Sequence, residues 1–116
     1  MQIEEISRLL DAEVVTVNHD REMDICSACG ADLMSDVMAF SKENAMMITG
    51  LVNPQVIRTA EMMDIRVVVF VRGKKPQPAM VEMAEERGIA ILSTGLPMFA
   101  ACGKLYQQGI HGHEES

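Results

Sequence analysis

The sequence AMMITGLVNPQVIRTAEMMDI, residues 45–65, is followed by two segments of the same pattern, RVVVFVRGKKPQPAMVEMAEERGI at 66–89 and AILSTGLPMFAACGKLYQQGI at 90–110. Each segment contains an apolar run, a glycine, a proline and then apolar residues at helical spacing. This order is typical of a strand, a turn and a helix, and its repetition predicts a parallel sheet. Because ligands on such sheets gather at the carboxyl ends of the strands, the pattern also predicts where a site lies.

The N-terminal part of the chain adds further elements to this sheet. Apolar residues at helical spacing predict a short amphipathic helix over 3–11. A cluster of valines predicts a strand over about 13–18. Residues 19–30 show no clear period, so we interpret them as a loop with at most a short strand near Ile25.

Two more helices, one after residue 30 and one at the end of the chain, are predicted from their apolar faces. The spacing i, i+4, i+7 predicts a helix over about 32–42, with Asp32 as its N-cap. The last helix begins near Leu96, and its period places Phe99, Cys102 and Tyr106 on one face.

These elements predict a single α/β domain over residues 1–110, a three-layer sandwich whose mainly parallel sheet has about five strands. Right-handed crossovers place the helices of the repeats on one face of the sheet. We therefore assign the N-terminal strand and the 32–42 helix to the other face. The polar tail, residues 111–116, is expected to be disordered.

Composition excludes several classes of protein. The chain has 116 residues and a formal net charge of -7, with its ten basic residues scattered among seventeen acidic ones. Binding to nucleic acid needs clustered Lys and Arg, so no nucleic-acid partner is expected. No apolar run approaches the roughly 20 residues that cross a bilayer, and the N-terminus has no basic region typical of a signal peptide. We expect a cytoplasmic protein without a membrane partner.

Small polar residues and glycines stand at the predicted strand ends, each time before a helix. Hydroxyls, glycine N–H groups and helix N-termini suit a carboxylate or a phosphate, and a cation after the central strand adds charge. The alternative is that threonine and glycine are simply good turn and cap residues here. The candidate ligand-binding residues are Thr49, Gly50, Asn53, Arg72, Ser93, Thr94 and Gly95.

A C-x-x-C motif, Cys26 and Cys29, offers a different chemistry. Together with His19 upstream, two thiolates at this spacing can begin a metal or Fe–S site. The pair also fits a redox motif, or small residues that lead into a helix. No second pair is present, and with three cysteines in all, a disulfide framework is not expected.

Signals for catalysis are missing. The sequence contains no Gly-Lys-Ser/Thr phosphate loop, no G-x-G-x-x-G and no G-x-S-x-G. We predict no catalytic residues and a protein that is not an enzyme.

Methionine is abundant, with eleven residues in the chain. Met packs adaptably, which suits an irregular core and also a contact surface. One interpretation is core filling, and the other is that some of these side chains cover an interface between two copies. Six of them lie in the middle of the chain: Met34, Met38, Met46, Met47, Met62 and Met63.

Several blocks together resemble the DRTGG domain family, which is similar to the N-terminal domain of HPr kinase/phosphorylase. The similarity extends over about 1–110. Leu51 departs from it, because a second glycine is expected after Thr49-Gly50. The blocks are 32–38 (DLMSDVM), 47–50 (MITG), 66–71 (RVVVFV), 84–89 (AEERGI) and 91–94 (ILST).

The resemblance implies an α/β regulatory or interaction domain with no established chemistry of its own. It also implies self-association as a homodimer and regulation of a partner protein. From the residues and the resemblance together, we predict a dimerising regulatory domain that senses a small anion at the strand ends, with an adenine nucleotide as candidate ligand. The alternative function is a metal or Fe–S carrier that uses Cys26 and Cys29.

Overall fold

The computed structural model describes residues 1–40 and 44–112, which form one five-stranded sheet flanked by helices. The strands lie in the order β1-β5-β4-β3-β2, and all neighbours are parallel except β1 and β5. The predicted mainly parallel sheet of about five strands is therefore confirmed. In chain order the strands are β1 (Ala12–Val14), β2 (Ser27–Gly30), β3 (Ala45–Thr49), β4 (Val67–Phe70) and β5 (Ala90–Thr94).

Local signals explain where the helices begin and end. The Asn53 side chain accepts a hydrogen bond from the Gln55 N–H at 2.8 Å, so it caps the helix that begins at Pro54. Gly88 takes a left-handed conformation and ends another helix, as a C-terminal glycine does. The helices are α1 (Ile3–Leu10), α2 (Met34–Phe40), α3 (Pro54–Met62), α4 (Pro78–Arg87) and α5 (Met98–Gln107).

The direction in which the chain crosses the sheet decides which face each helix covers. From β2 to β5 the strands advance one way, and right-handed crossovers place α2, α3 and α4 on one face. After β5 the chain returns across the other face through α5. It reaches the far edge of the sheet, where His111 forms a parallel bridge with Ser27. α1 packs beside α5, and the predicted three layers are present.

The assignment of the second face was wrong in its elements. β1 does not cover a face, because it joins the edge of the sheet beside β5. α2 packs with α3 and α4 rather than opposite them. After β5 the chain turns back across the sheet, and α5 covers the second face together with α1.

The central strand β4 is buried on both sides, as its β-branched run predicts. Val67 and Val69 face the cluster formed with α1 and α5. Val68 and Phe70 face the cluster formed with α2, α3 and α4. The sheet therefore separates two apolar cores, and β4 contributes to each.

Two boundaries in the N-terminal part differ from the prediction. The strand predicted over 13–18 ends at Val14, because the N–H groups of Val17 and Asn18 bind the Glu85 carboxylate on α4 instead of continuing the ladder. The short strand expected near Ile25 is β2, which begins two residues later. β2 depends on pairing with β3, a contact distant in sequence that no local period reports.

The predicted face of α5 was also wrong. α5 buries Ala101 and Leu105, whereas Phe99 is 92% exposed and Tyr106 is 52% exposed. Ala101 and Leu105 face the sheet, and the aromatic rings are left outside. Cys102, on the same helix, is half-buried.

Three of the six mid-chain methionines are buried in the core, and a fourth, Met63, packs against it. Met34, Met46 and Met47 are buried, and so is Met80 on α4. Met38 and Met62 are exposed, at 40% and 63%. The interface interpretation is thus restricted to a minority of these side chains.

The predicted domain ends at residue 110, and the tail predicted to be disordered begins at residue 111. In the structure His111 forms a bridge with Ser27 and so belongs to the folded part. The remainder of the tail prediction, residues 113–116, lies outside the described residues, as do 41–43 at the predicted end of the second helix. Within the described ranges, no helix combines the length and apolar character that crossing a membrane requires.

Candidate functional site

Three parallel strands end at the same end of the sheet. We call this region, the strand ends and the loops that follow them, the carboxyl rim; it comprises residues 49–53, 71–77 and 93–97. Thr49 on β3 is in register with Phe70 on β4, which is in register with Ser93 on β5. Gly50 and Gly95 therefore follow their strands at the same end of the sheet. The structure brings the predicted strand-end residues together at this rim.

The connections diverge at the rim between β4 and β5. The loop after β4 leads to α4 on one face, and the loop after β5 leads to α5 on the other. Such a switch point is where ligands bind on open α/β sheets. Here the two loops are joined by backbone hydrogen bonds of 2.8 Å, from the Arg72 N–H to the Leu96 carbonyl and from the Gly73 N–H to the Thr94 carbonyl. These two hydrogen bonds hold the loops after β4 and β5 together at the switch point.

Asp32 has a different role from the predicted one. It does not cap α2, which begins at Met34. Its carboxylate accepts hydrogen bonds from the Gly50 N–H at 2.7 Å and from the Thr49 hydroxyl at 3.2 Å. The donor pair expected for an anion is therefore already bound to a carboxylate from the β2–α2 loop. No local pattern predicts this contact, because a helix and a strand separate Asp32 from Gly50 in the chain.

Arg72 is the cation of the rim, and its backbone is unusual. It has φ of 58°, a left-handed conformation that costs a residue with a Cβ about 1–2 kcal/mol. Its guanidinium lies over Gly50: the Arg72 Cζ and Nε atoms are 3.3 and 3.5 Å from the position that a Cβ on Gly50 would take. Within the described part of the chain, no carboxylate pairs with this guanidinium. Its positive charge is therefore available at the rim.

Three of the other candidate side chains are used inside the fold. The Ser93 hydroxyl donates to the Lys74 carbonyl at 2.7 Å, and the Thr94 hydroxyl donates to the Leu10 carbonyl at 2.6 Å. Asn53 caps α3. These side chains shape the loops, so the groups that remain to meet a ligand are the Arg72 guanidinium and the open space beside Gly95, where an added Cβ would contact nothing within 4 Å.

Thr94→Val is expected to lower the free energy of unfolding by about 2 kcal/mol, because the Leu10 carbonyl loses its buried donor. Urea titration followed by circular dichroism measures this change. Thr94→Ser keeps the hydroxyl and is expected to retain most of the stability. A Thr94→Val protein as stable as the unmodified chain would contradict this role.

The C-x-x-C residues are not arranged as a chelating pair. Cys29 lies within β2 and Cys26 immediately before it, and an odd spacing along extended backbone directs side chains to opposite faces. His19 lies beyond β1, at the opposite edge of the sheet from β2. Among the described residues, no group of three His, Cys, Asp or Glu side chains is placed to hold a metal ion.

The surroundings of two of the thiols, Cys29 and Cys102, favour the neutral form. Burial raises the pKa of Cys29, with Asp36 and Cys102 adding to the effect, and burial raises the pKa of Cys102. Thiolates, rather than thiols, bind metals and attack disulfides. The electrostatic surroundings therefore oppose both chemistries at these positions.

The fold and the carboxyl rim define a three-layer α/β domain of the kind that places ligands at a switch point. The model of the DRTGG domain matches residues 5–107, nearly the whole chain. The chain belongs to the DRTGG domain family.

A solved structure has the same fold. It contains the CBS and DRTGG domains of the regulatory region of Clostridium perfringens pyrophosphatase, complexed with the activator diadenosine tetraphosphate. The TM-score is 0.78 at 19% sequence identity, and the match covers 91% of this chain. It covers 46% of the other chain, so this protein spans about half the length of that regulatory region. Among proteins of curated function, none matches this sequence significantly.

Proposed function

We propose that this protein is a regulatory domain without catalytic activity that binds a small anion, an adenine nucleotide, at the carboxyl rim. The observation that carries the proposal is Arg72, whose guanidinium lies over Gly50 without a carboxylate partner among the described residues. A strained backbone that holds a charged side chain at a switch point is typical of a functional position.

The electrostatics of the rim support an anionic ligand. The chain has a net charge of -7, yet the loop after β4 carries three cations, Arg72, Lys74 and Lys75. Lys75 is 3.8 Å from the Glu13 carboxylate, an exposed pair that leaves most of its charge for solvent. A phosphate at the rim would therefore meet three cations, with the Asp32 carboxylate that binds Gly50 as the opposing charge.

The adenine nucleotide is the narrower part of the proposal. Its support is that a structure with the same fold was obtained with diadenosine tetraphosphate as an activator. Leu51 at the rim and the exposed Leu33 in the β2–α2 loop supply an apolar surface for a base.

A nucleotide panel tests the proposal by thermal unfolding. At a hundredfold excess over its dissociation constant, a ligand that binds only the folded state is expected to add about 3 kcal/mol of stability. We expect such a gain for at least one adenine nucleotide and none for adenosine, which lacks the phosphate. Absence of stabilisation by every nucleotide of the panel would overturn the sensing function.

We propose in addition that the protein forms a homodimer through the exposed apolar residues near the rim. Phe99, in the first turn of α5, is 92% exposed, and Leu33 in the β2–α2 loop is 61% exposed. A dimer that contacts these elements allows a bound nucleotide to influence association, and through it a regulatory partner protein.

Light scattering is expected to give twice the chain mass of 12.8 kDa at micromolar concentration. Phe99→Glu is expected to reduce the mass to that of one chain, since it places a charge in the contact. Met62→Glu, on the outer surface of α3, is the matched control and should leave the dimer intact. A single-chain mass for the unmodified protein would refute dimerisation, and a monomeric Met62→Glu variant would place the contact elsewhere.

A further inference from the structure

A groove of about 440 Å³ lies between α1 and the outer edge of β1, at the opposite side of the molecule from β2. It is larger than the cavities of about 240 and 190 Å³ found elsewhere. Its volume falls within the roughly 300–1,000 Å³ of small-molecule sites. None of the rim residues lines it, so it is separate from the proposed nucleotide site.

The charged residues of the groove are mainly basic. Arg8 on α1 and Arg21 in the following loop both line it, and Glu4 is the one carboxylate in the lining. In the part of the chain that the structure describes, neither guanidinium forms an ion pair. The charged side chains of the lining therefore carry a net positive charge, whereas the whole chain has a net charge of -7.

A histidine completes the polar part of the lining. The Thr16 hydroxyl oxygen accepts the Ile91 N–H at 3.0 Å, and the same hydroxyl shares a hydrogen bond of 3.3 Å with the His19 Nδ1 atom. In the tautomer whose Nδ1 accepts this bond, the Nε2 N–H of His19 is a donor. Burial and the nearby Arg21 lower the pKa of His19, against the opposing influence of Glu85 and Asp20.

The other part of the lining is apolar. Val14 and Val17 are partly to largely exposed, at 38% and 74%, and Ile3 forms the floor. Exposed valines beside two unpaired guanidinium groups form an amphipathic surface, which matches a ligand with an anionic end and an apolar body.

We propose that this groove binds a small organic anion, a carboxylate on a short apolar chain, with Arg8 and Arg21 at the carboxylate and the valines along the chain. Guanidinium groups recognise carboxylates through paired N–H donors. The apolar contacts give selectivity for a chain of several carbons over acetate.

Hexanoate is the probe, and backbone amide NMR shifts of the full chain report its binding. We expect saturable shifts within residues 3–21, and none there with hexylammonium, which has the same chain and the opposite charge. The double variant Arg8→Gln/Arg21→Gln is expected to weaken hexanoate binding at least tenfold. Val17→Ser is expected to weaken it severalfold, because it removes an apolar contact.

Two controls keep the outcome specific. Arg58→Gln removes an exposed arginine on α3, and Arg72→Gln removes the cation of the rim; both should leave hexanoate affinity unchanged. The inference is overturned by an absence of saturable shifts at millimolar hexanoate, by equal binding of hexylammonium, or by unchanged affinity in the double arginine variant.

Discussion

Phe70→Ala is expected to lower the free energy of unfolding by about 4 kcal/mol, the largest change that any single substitution described here should produce. Phe70 is fully buried at the carboxyl end of β4, in the cluster formed with α2, α3 and α4. Truncation removes the ring from this cluster and leaves a cavity, since the strands on both sides hold the backbone in place.

Urea titration and thermal unfolding both measure this loss, which corresponds to a decrease of roughly 15 °C in Tm for a chain of this size. Phe70→Leu keeps most of the apolar volume and is expected to cost much less. Because Phe70 directly precedes the loop of Arg72, the alanine variant should also weaken ligand binding at the rim. A change below about 1 kcal/mol would contradict the role of Phe70 as a packed member of this core.

Gly50→Ala is expected to abolish the nucleotide stabilisation of about 3 kcal/mol while leaving the fold intact. An added Cβ at this position overlaps the Arg72 guanidinium, so the side chain must move away from the rim. Gly50 does not have positive φ, and alanine therefore fits its backbone. The variant removes the cation from the site by displacement, without removing the charge from the protein.

Gly103→Ala is the matched control for this experiment. Gly103 is exposed on α5, and an added Cβ contacts nothing within 4 Å. We expect it to gain about 0.5–1 kcal/mol of stability from the helix and to keep the full nucleotide effect. Arg72→Gln should reproduce the loss seen with Gly50→Ala. If Arg72→Gln retains the stabilisation, the nucleotide binds elsewhere, whatever Gly50→Ala does.

Thr94 is not a suitable residue for testing ligand binding. It is one of the candidates from the sequence, but its hydroxyl donates to the Leu10 carbonyl inside the fold. A valine at this position changes stability with or without ligand. Variants that act on Arg72 separate the two effects, because its guanidinium is not part of a described ion pair.

The sequence by itself determined the elements whose signals are local. Repeated apolar runs, each followed by glycine, proline and a helical period, predicted parallel strands with their ends on one rim, and β3, β4 and β5 confirm it. Asn53 before Pro54 is a local signal for the start of a helix, and the Asn53 side chain accepts the Gln55 N–H. These signals are read within a few residues, because hydrogen bonding and burial in each βα unit depend on its own pattern.

Only the tertiary structure decided which face each helix covers, where β2 begins, and what the rim residues contact. The return of α5 across the sheet leaves Phe99 exposed, although its period matches that of a buried face. Asp32 binds Gly50, and Arg72 lies over the same glycine, through loops that meet only when β2, β3 and β4 stand side by side. The physical reason is that such contacts join residues far apart in the chain, and their geometry is set by the packing of whole elements rather than by local propensity.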